Sequence, residues 1–168
     1  PSRGMTDRSL APPEGDHMQP DDSPDDVHAI KALIAEQFNC LRWRPDTSPD
    51  WARFAAAFTP QALMFPAVRP ANAKTVAAFI ERMEGLRASG TLSAFEESGL
   101  GHVVHVFGNV AVAMAACSML ENDTTVTRDV SAFLLIKDNG AWSIAAQAWD
   151  VESGAREIPE RLLRAGDA

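Results

Sequence analysis

The chain has 168 residues, 46% of them apolar, and its 15 basic and 23 acidic residues give it a formal net charge of −8. The acidic excess disfavours a nucleic-acid partner, because phosphate backbones are bound by basic surfaces, and no apolar run approaches the ~20 residues of a membrane span. The length predicts a single domain. With two cysteines and no basic segment followed by an apolar stretch at the start, we expect a cytoplasmic protein without disulfides.

The first part of the sequence differs from the rest in composition. Residues 1–26 hold seven acidic residues, five of the eleven prolines and no aromatic residue. Such a segment cannot bury enough apolar surface to offset the entropy lost on ordering. We predict a flexible, acidic, proline-rich tail over 1–22, a folded domain over 23–153, and a C-terminal extension over 154–168 with room for a short helix.

Helical periodicity dominates the first half of the domain. Ser23 and Pro24 supply an N-cap hydroxyl and a proline at the first helical position, and apolar residues then recur at three- and four-residue steps. A Ser-Pro-Asp sequence repeats this start signal at 48–50. The predicted elements are a helix over 24–43, a short helix from 51 that ends at Pro60, a strand over 62–65 and a helix over 73–87.

After Gly90 the apolar period changes from 3.6 to 2, which is typical of strands. Gly99 and Gly101 indicate a bulge or a close backbone approach in the first strand. Two hairpins follow, with turns at 108–109 and 138–140. Their strands cover 102–107, 110–119, 127–137 and 142–151. Helices followed by a block of strands predict an α+β domain with N-terminal helices packed on one face of a curved antiparallel sheet.

Three stretches of the strand region carry a family resemblance. They are Val-His-Val-Phe-Gly-Asn-Val-Ala-Val over 104–112, Phe-Leu-Leu-Ile-Lys-Asp-Asn-Gly-Ala-Trp-Ser-Ile over 133–144, and Gln-Ala-Trp-Asp over 147–150. Together they resemble the NTF2-like superfamily, which includes ketosteroid isomerase, scytalone dehydratase and the SnoaL-like polyketide cyclases. The resemblance spans about 24–152. It implies a cone-shaped, cystatin-like α+β barrel, a scaffold that hosts enzymes, ligand binders and interaction modules.

The resemblance also argues against the best-known chemistry of the superfamily. Ketosteroid isomerases use a tyrosine on the first helix, an aspartate base after the second helix and a protonated carboxyl on a long strand. This chain contains no tyrosine, and the two carboxyl positions fall on Phe65-Pro66 and Ser131-Ala132. We therefore predict that the protein is not a ketosteroid isomerase. The tyrosine-dependent scytalone dehydratases are disfavoured for the same reason.

A three-residue turn at 138–140 would pair Arg128 with Asp150 across the second hairpin. We predict that the face carrying this pair lines the cone interior, where small side chains leave room for a ligand between aromatic walls. The predicted pocket residues are Trp51, Phe54, Phe65, Ala132, Leu134, Ala146 and Ala148. Phe133 and Trp149 would then lie on the outer face and form a dimer interface. In the alternative, the alanines let the first helix pack closely and the ion pair is structural.

The sequence offers only weak catalytic candidates, which are Asp150, Arg128, His105 and His102. A neighbouring guanidinium would lower the basicity of Asp150. The two histidines are three residues apart on a strand, so they point to opposite faces and cannot share a metal ion without a bulge. Glu97 fits a solvated edge, and Cys117 fits an inert buried thiol. We expect neither a metal nor a cofactor.

These features favour a small-molecule-binding, SnoaL-like domain with a pocket for a small apolar or aromatic ligand, and they leave catalysis undecided. An enzyme of this kind would be a cofactor-independent lyase, isomerase or cyclase. The alternative is a non-catalytic, dimeric ligand carrier or assembly module whose cavity is filled by its own side chains. Cavity volume distinguishes the two interpretations, and both predict a homodimer without nucleic-acid or membrane partners.

Overall fold

The computed structural model of the chain describes residues 23–164. The predicted flexible tail over 1–22 lies outside the described residues, as do residues 165–168 at the end of the predicted extension. Between residues 23 and 164, no helix combines the length and the hydropathy that crossing a membrane requires.

Three helices, seven strands and one 3-10 turn make up the described part of the chain. The helices are α1 (Pro24–Cys40), α2 (Trp51–Ala56) and α3 (Val76–Ala88). The strands are β1 (Arg42–Trp43), β2 (Phe58–Phe65), β3 (Lys74–Thr75), β4 (Phe95–Phe107), β5 (Val110–Glu121), β6 (Thr125–Asp138) and β7 (Ala141–Val151). The 3-10 turn spans Glu160–Leu162, where the sequence predicted a short C-terminal helix.

The first helix is anchored by a tertiary contact. Pro24 opens α1 as predicted, but the Ser23 side chain makes no capping hydrogen bond. Instead, Asp26 Oδ1 accepts hydrogen bonds from Lys137 Nζ (2.7 Å) and from Trp142 Nε1 (2.9 Å). Both donors lie on the β6–β7 hairpin, so the first turn of α1 is fixed to the sheet that the helix covers.

The seven strands form one curved sheet in the order β1-β4-β5-β6-β7-β2-β3. Neighbouring strands are antiparallel, except that β2 and β7 run parallel. The helices cover the concave face of this half-barrel, where the main core of aromatic and aliphatic side chains packs. The predicted α+β architecture is confirmed, and the parallel β2–β7 pair departs from the predicted antiparallel sheet.

The second hairpin turns more tightly than predicted. Asn139 (φ 50°) and Gly140 (φ 81°) form a two-residue turn of the type that matches the twist of antiparallel strands. The register then shifts by one residue, because Leu135 pairs with Ile144 while Leu134 pairs with Ala146. The predicted three-residue turn is therefore wrong, and with it the predicted cross-strand pairing of the charged residues further along the hairpin.

The two faces of the sheet are also reversed relative to the prediction. Phe133 is 3% exposed and packs against Phe38 of α1 with ring centroids 6.3 Å apart, whereas Leu134 is 47% exposed. Alternation defines two faces but does not say which one the helices cover. Burying a large side chain such as Phe133 or Leu135 stabilises by about 1.5–3 kcal/mol. Size alone does not decide the direction, however, because on β5 the alanines Ala111, Ala113 and Ala115 turn inward while Val112 and Met114 are exposed.

The expected irregularity at the glycines of β4 is confirmed. The β4–β5 register shifts between Gly99 and Gly101. At Gly101, a Cβ atom would overlap the backbone carbonyl oxygen of Leu162 in the 3-10 turn. Leu162 and Ile158 are buried there against Ala116 in a second, smaller core. The C-terminal segment is therefore held against the outer face of the sheet by a contact that only glycine permits.

Candidate functional site

A cavity of about 320 Å³, which we call the inner cavity, lies on the concave side of the sheet beside α1 and α3. Most of its wall is apolar and includes Leu41, Met64, Phe79, Met83, Phe95 and Trp149. Polar and charged side chains reach it from α1, α3 and the long strands, namely Gln37, Arg82, Glu97, Glu121, Thr127, Asp129, Ser131 and Gln147. An apolar wall with a few convergent polar groups is the usual composition of a small-ligand pocket, and this volume lies at the small end of such pockets.

Three side chains on neighbouring strands form a buried group that we call the carboxyl cluster. Cys117 on β5 is fully buried, and its single S–H group lies within hydrogen-bond distance of two carboxyl groups, with Sγ 2.7 Å from Asp129 Oδ1 and 3.1 Å from Glu97 Oε1. Glu97 on β4 is 7% exposed, and Asp129 on β6 is 3% exposed. Cys117 lies directly opposite Asp129 in the β5–β6 register, so the sheet itself brings the two acids to one thiol.

No cation neutralises these acids. Among the ion pairs within 4.0 Å in residues 23–164, none involves Glu97 or Asp129. Burial raises the pKa of Glu97 to about 8, and the nearby Asp129 charge adds to the rise. Burial also raises the pKa of Asp129, against the hydrogen bond from Cys117. At neutral pH, Glu97 therefore holds its proton.

The thiol between the two acids is neutral as well. Burial raises the pKa of Cys117 far above its ordinary value, and both carboxylates raise it further. The three side chains offer ligand atoms within 4.8 Å of one another and could hold a metal ion. However, a sulfur and an oxygen bound to one zinc ion at ~2.3 and ~2.0 Å would lie roughly 3.5 Å apart. Cys117 Sγ and Asp129 Oδ1 are only 2.7 Å apart, so the two atoms would have to separate before they could bind one metal ion.

A second polar group faces the same cavity. Gln37 Nε2 donates to Gln147 Oε1 (3.2 Å), and Gln147 Nε2 donates to Ser131 Oγ (3.1 Å). Gln37 Oε1 is buried and has no hydrogen-bond partner in the described part of the chain. An unsatisfied buried acceptor costs about 1–3 kcal/mol. The residue lines the cavity, but this atom itself is buried.

The predicted pocket residues do not line the inner cavity. Phe54 lies in the core behind it, stacked on Phe79 with centroids 5.5 Å apart. Trp51 is half-buried, and its Nε1 donates to Glu84. The remaining predicted pocket residues, Phe65, Ala132, Leu134, Ala146 and Ala148, belong to the outer side of the sheet or its edge. The predicted interface residues are also misplaced, since Phe133 is in the core and Trp149 lines the inner cavity.

The predicted pair of Arg128 with Asp150 does not form. Arg128 Nε donates to Glu152 Oε2 (2.7 Å), and Asp150 contacts Arg156 and, at 3.8 Å, Arg69. These residues lie on or beside the outer side of the sheet, away from the carboxyl cluster. Neither is placed where it could act on a ligand in the inner cavity.

The two histidines are paired across the β4–β5 hairpin as predicted, His105 with Val112 and His102 with Ala115. His105 is exposed. His102 is half-buried, and burial lowers its pKa, with a smaller contribution from Lys31. It lines a cleft of about 260 Å³ under α1, which shares Glu97 with the inner cavity, and it does not line the inner cavity itself. Neither histidine therefore belongs to the candidate site.

The sequence analysis missed the carboxyl cluster, although a signal was present. Asp129 alternates with Ser131, Phe133 and Leu135, so it shares their face of β6. Once the Phe133 face is known to point inward, Asp129 must point inward too. The prediction of Cys117 as a buried thiol is correct, but its two acidic neighbours make it part of a polar site.

Comparison with known proteins supports the fold. No protein-family model and no curated protein matches the sequence. A Nostoc punctiforme PCC 73102 protein of unknown function with a cystatin-like fold has a TM-score of 0.62 at 12% identity, over 79% of this chain and 95% of that chain. An NTF2-like protein of unknown function from Pseudomonas putida KT2440 has a TM-score of 0.61 at 15% identity, over 82% and 95%.

A third solved structure is a provisionally named scytalone dehydratase from Novosphingobium aromaticivorans DSM 12444. Its TM-score is 0.58 at 12% identity, over 77% of this chain and 85% of that chain. The chain therefore has the NTF2-like fold, as the sequence resemblance implied. At these identities the likeness shows the fold alone, so the function has to be argued from the side chains of the site.

Proposed function

We propose that the protein is a cofactor-independent lyase or isomerase that moves a proton on a small, largely apolar substrate in the inner cavity. One observation carries the proposal: two buried carboxyl groups, neither in an ion pair within 4.0 Å in residues 23–164, line an open, mainly apolar cavity. Strongly shifted acids in a cavity are typical of acid and base catalysts, because burial tunes their pKa values toward neutral pH.

The two acids have different roles in this proposal. Glu97 holds its proton at neutral pH because its pKa is about 8, so it serves as the acid. Asp129 receives the shorter hydrogen bond from the Cys117 thiol, which favours its ionised form, so it serves as the base. Two carboxyl groups whose environments separate their pKa values can divide acid and base work in this way.

Both reaction types use the same transfers. In an elimination, Asp129 takes a proton from carbon, a carbon–carbon double bond forms, and the departing hydroxyl leaves as water with the proton of Glu97. In an isomerisation, Asp129 takes the proton next to a carbonyl while Glu97 protonates the oxygen, which gives an enol. Asp129 then returns its proton to another carbon while the enol O–H returns its proton to Glu97, and the carbonyl re-forms. After an elimination, the Cys117 thiol can reset the pair by giving its proton to Glu97 while it receives one from Asp129.

The open cavity favours a ligand-binding role over a module with a self-filled interior. About 320 Å³ is unfilled by the chain, and most of the wall of this space is apolar. This supports a substrate that is apolar in most of its surface.

Deuterium exchange tests the proposal without knowledge of the natural substrate. Small cyclic ketones such as 2-tetralone and 1-indanone are incubated with the protein in D₂O, and deuterium next to the carbonyl is followed by NMR. We expect protein-dependent exchange that falls about 100-fold or more in Asp129→Asn and persists in Asp46→Asn, an exposed control. Equal rates in the wild type and Asp129→Asn would refute the proposal.

We also propose that the protein is a homodimer that uses the outer face of the sheet. Exposed apolar side chains form a continuous patch there, from Val112 and Met114 on β5 to Leu134 and Ile136 on β6. A monomer would leave this patch in water. The predicted interface face is therefore replaced by the opposite one, and Leu134 takes the place of Phe133 at its centre.

The mass in solution tests the dimer proposal. We expect light scattering to give twice the chain mass, and Leu134→Lys to give a monomer, because a charge would be buried at the centre of the patch. Val68→Lys is the control, since Val68 is 71% exposed on the loop after β2 and away from this face. A dimer that survives Leu134→Lys would exclude this interface.

A cytoplasmic location remains our proposal for the compartment. Both cysteines are free and buried, and the residue nearest to Cys117 Sγ is a carboxylate and not a second thiol. Unpaired thiols of this kind are typical of reducing compartments. Fractionation of the native cells, with detection by antibody, would test this.

A further inference from the structure

We infer that the substrate carries an anionic group, which Arg82 and Lys74 bind at the outer end of the site while its apolar part occupies the inner cavity. This inference rests on the proposed function and adds a substrate class to it. The observation behind it is a second cavity of about 850 Å³, which we call the vestibule. It lies between α3, the loop that follows β2, and Trp149.

The vestibule meets the inner cavity at three shared side chains, Phe79, Arg82 and Trp149. Phe79 and Trp149 contact each other edge to face, with centroids 5.9 Å apart. A ligand longer than the inner cavity would therefore pass this aromatic pair and place its outer end beside Arg82. Neither space alone would hold such a ligand.

The charge of the vestibule has one sign. Among residues 23–164, its charged lining residues are Arg82 on α3 and Lys74 on β3, and no carboxylate of this range lines it. Neither cation makes an ion pair within 4.0 Å in residues 23–164. This is unusual in a chain with a net charge of −8. Arg69 and Arg156, for example, both contact the carboxylate of Asp150.

The local sequence explains why Arg82 is free. Its neighbours on the same face of α3, three and four residues away, are Ala78, Phe79, Gly85 and Leu86, and none carries a charge. The nearest glutamate along the chain, Glu81, lies one residue away and faces another direction. An unpaired guanidinium at a cavity junction can form two parallel hydrogen bonds to a carboxylate or a phosphate.

The two ends of the site therefore have opposite preferences. At the inner end, the carboxyl cluster disfavours an anion, because Asp129 is buried there and makes no ion pair within 4.0 Å in residues 23–164. Glu121 also lines the inner cavity, and its carboxylate also disfavours an anion there. At the outer end, Arg82 and Lys74 favour an anion. An amphipathic anion would bind in one orientation only, with its apolar, reactive part beside Asp129.

Matched ligands test the inference by isothermal titration calorimetry on the full chain. The probes are 2-naphthol, 2-naphthoate and 2-naphthyl phosphate, which share a ring system and differ in charge. We expect both anions to bind the wild type at least about tenfold more tightly than the neutral naphthol at low salt. The difference should shrink at about 0.5 M salt, because screening weakens exposed ion pairs. The tighter of the two anions indicates whether the natural group is a carboxylate or a phosphate.

Two variants separate this inference from the proposed function. Arg82→Gln should weaken both anions about tenfold and leave naphthol unchanged, while Arg161→Gln removes the same charge from an exposed position on the 3-10 turn and should change neither. Equal affinity of wild type for naphthol and the anions, or equal effects of the two variants, would overturn the inference while naphthol binding still supports the inner cavity as a ligand site. Failure of all three probes to bind would overturn both.

Discussion

Replacing Glu97 by glutamine should change how stability depends on pH. The amide has the shape of the acid, and its oxygen can still accept the hydrogen bond from Cys117 Sγ, which is 3.1 Å from Glu97 Oε1. What the substitution removes is the ability to ionise. Glu97→Gln therefore isolates the cost of a buried negative charge from the packing of the side chain.

The expected size of the effect follows from the pKa of Glu97, which burial raises from 4.5 to about 8. Below pH 4.5 the acid is protonated in both states and does not affect folding. Above it, the unfolded chain releases a proton that the folded chain keeps, so stability falls until about pH 8 and then levels off. At 1.36 kcal/mol per pKa unit the whole fall is about 5 kcal/mol. That is comparable to the net stability of many domains.

Urea unfolding followed by tryptophan fluorescence measures this effect. Near pH 5, Glu97→Gln and the wild type should differ by no more than about 1 kcal/mol, and near pH 8 the variant should be more stable by about 3–4 kcal/mol. Some slope should remain in the variant, because burial also raises the pKa of Asp129. Glu96→Gln is the control, since Glu96 is half-buried and pairs with Arg42 and Arg44. A slope in Glu97→Gln equal to that of the wild type would refute the reasoning.

Two further substitutions test the fold around the site. Phe133→Ala should lower the free energy of unfolding by about 3–5 kcal/mol in the urea experiment. Leu134→Ala should lower that of one chain far less, because Leu134 is exposed. Similar decreases for the two variants would contradict the assignment of the two faces. Gly101→Ala should lower the free energy of unfolding by about 1–3 kcal/mol, because its Cβ would overlap the Leu162 carbonyl. The control Gly154→Ala should be neutral, because there is open space around Gly154. Equal unfolding midpoints for the two variants would show that the C-terminal turn is not held at Gly101.

The order of elements could be predicted from the sequence because local patterns determine it. Pro24 opens α1, and the change of period after Gly90 separates helices from strands. The pairing of His105 with Val112 follows from a two-residue turn at 108–109. These features depend on residues that are close together in the chain, so they can be predicted from a single sequence.

The site could not be predicted because it depends on which face the helices cover. The turn error moved the pairing along the strands but kept Ala132, Leu134, Ala146 and Ala148 on one face. What was wrong was the choice of that face as the inner one, and with it every predicted pocket residue on β6 and β7. The prediction of Glu97 at a solvated edge was also wrong, and Asp129 was overlooked, for a physical reason. Acidic residues are almost always exposed unless paired, and here the partner that draws both inward is a neutral thiol, Cys117.

The most direct test of the central claim is the infrared spectrum of the protein at neutral pH. The account predicts a protonated carboxyl band at pH 7 that disappears in Glu97→Gln, remains in Glu96→Gln, and shifts when a cyclic ketone occupies the inner cavity. A spectrum in which every carboxyl group is ionised at pH 7 would contradict it. In that case the buried acids would have to be balanced by a bound cation, and Glu97 could not serve as the acid.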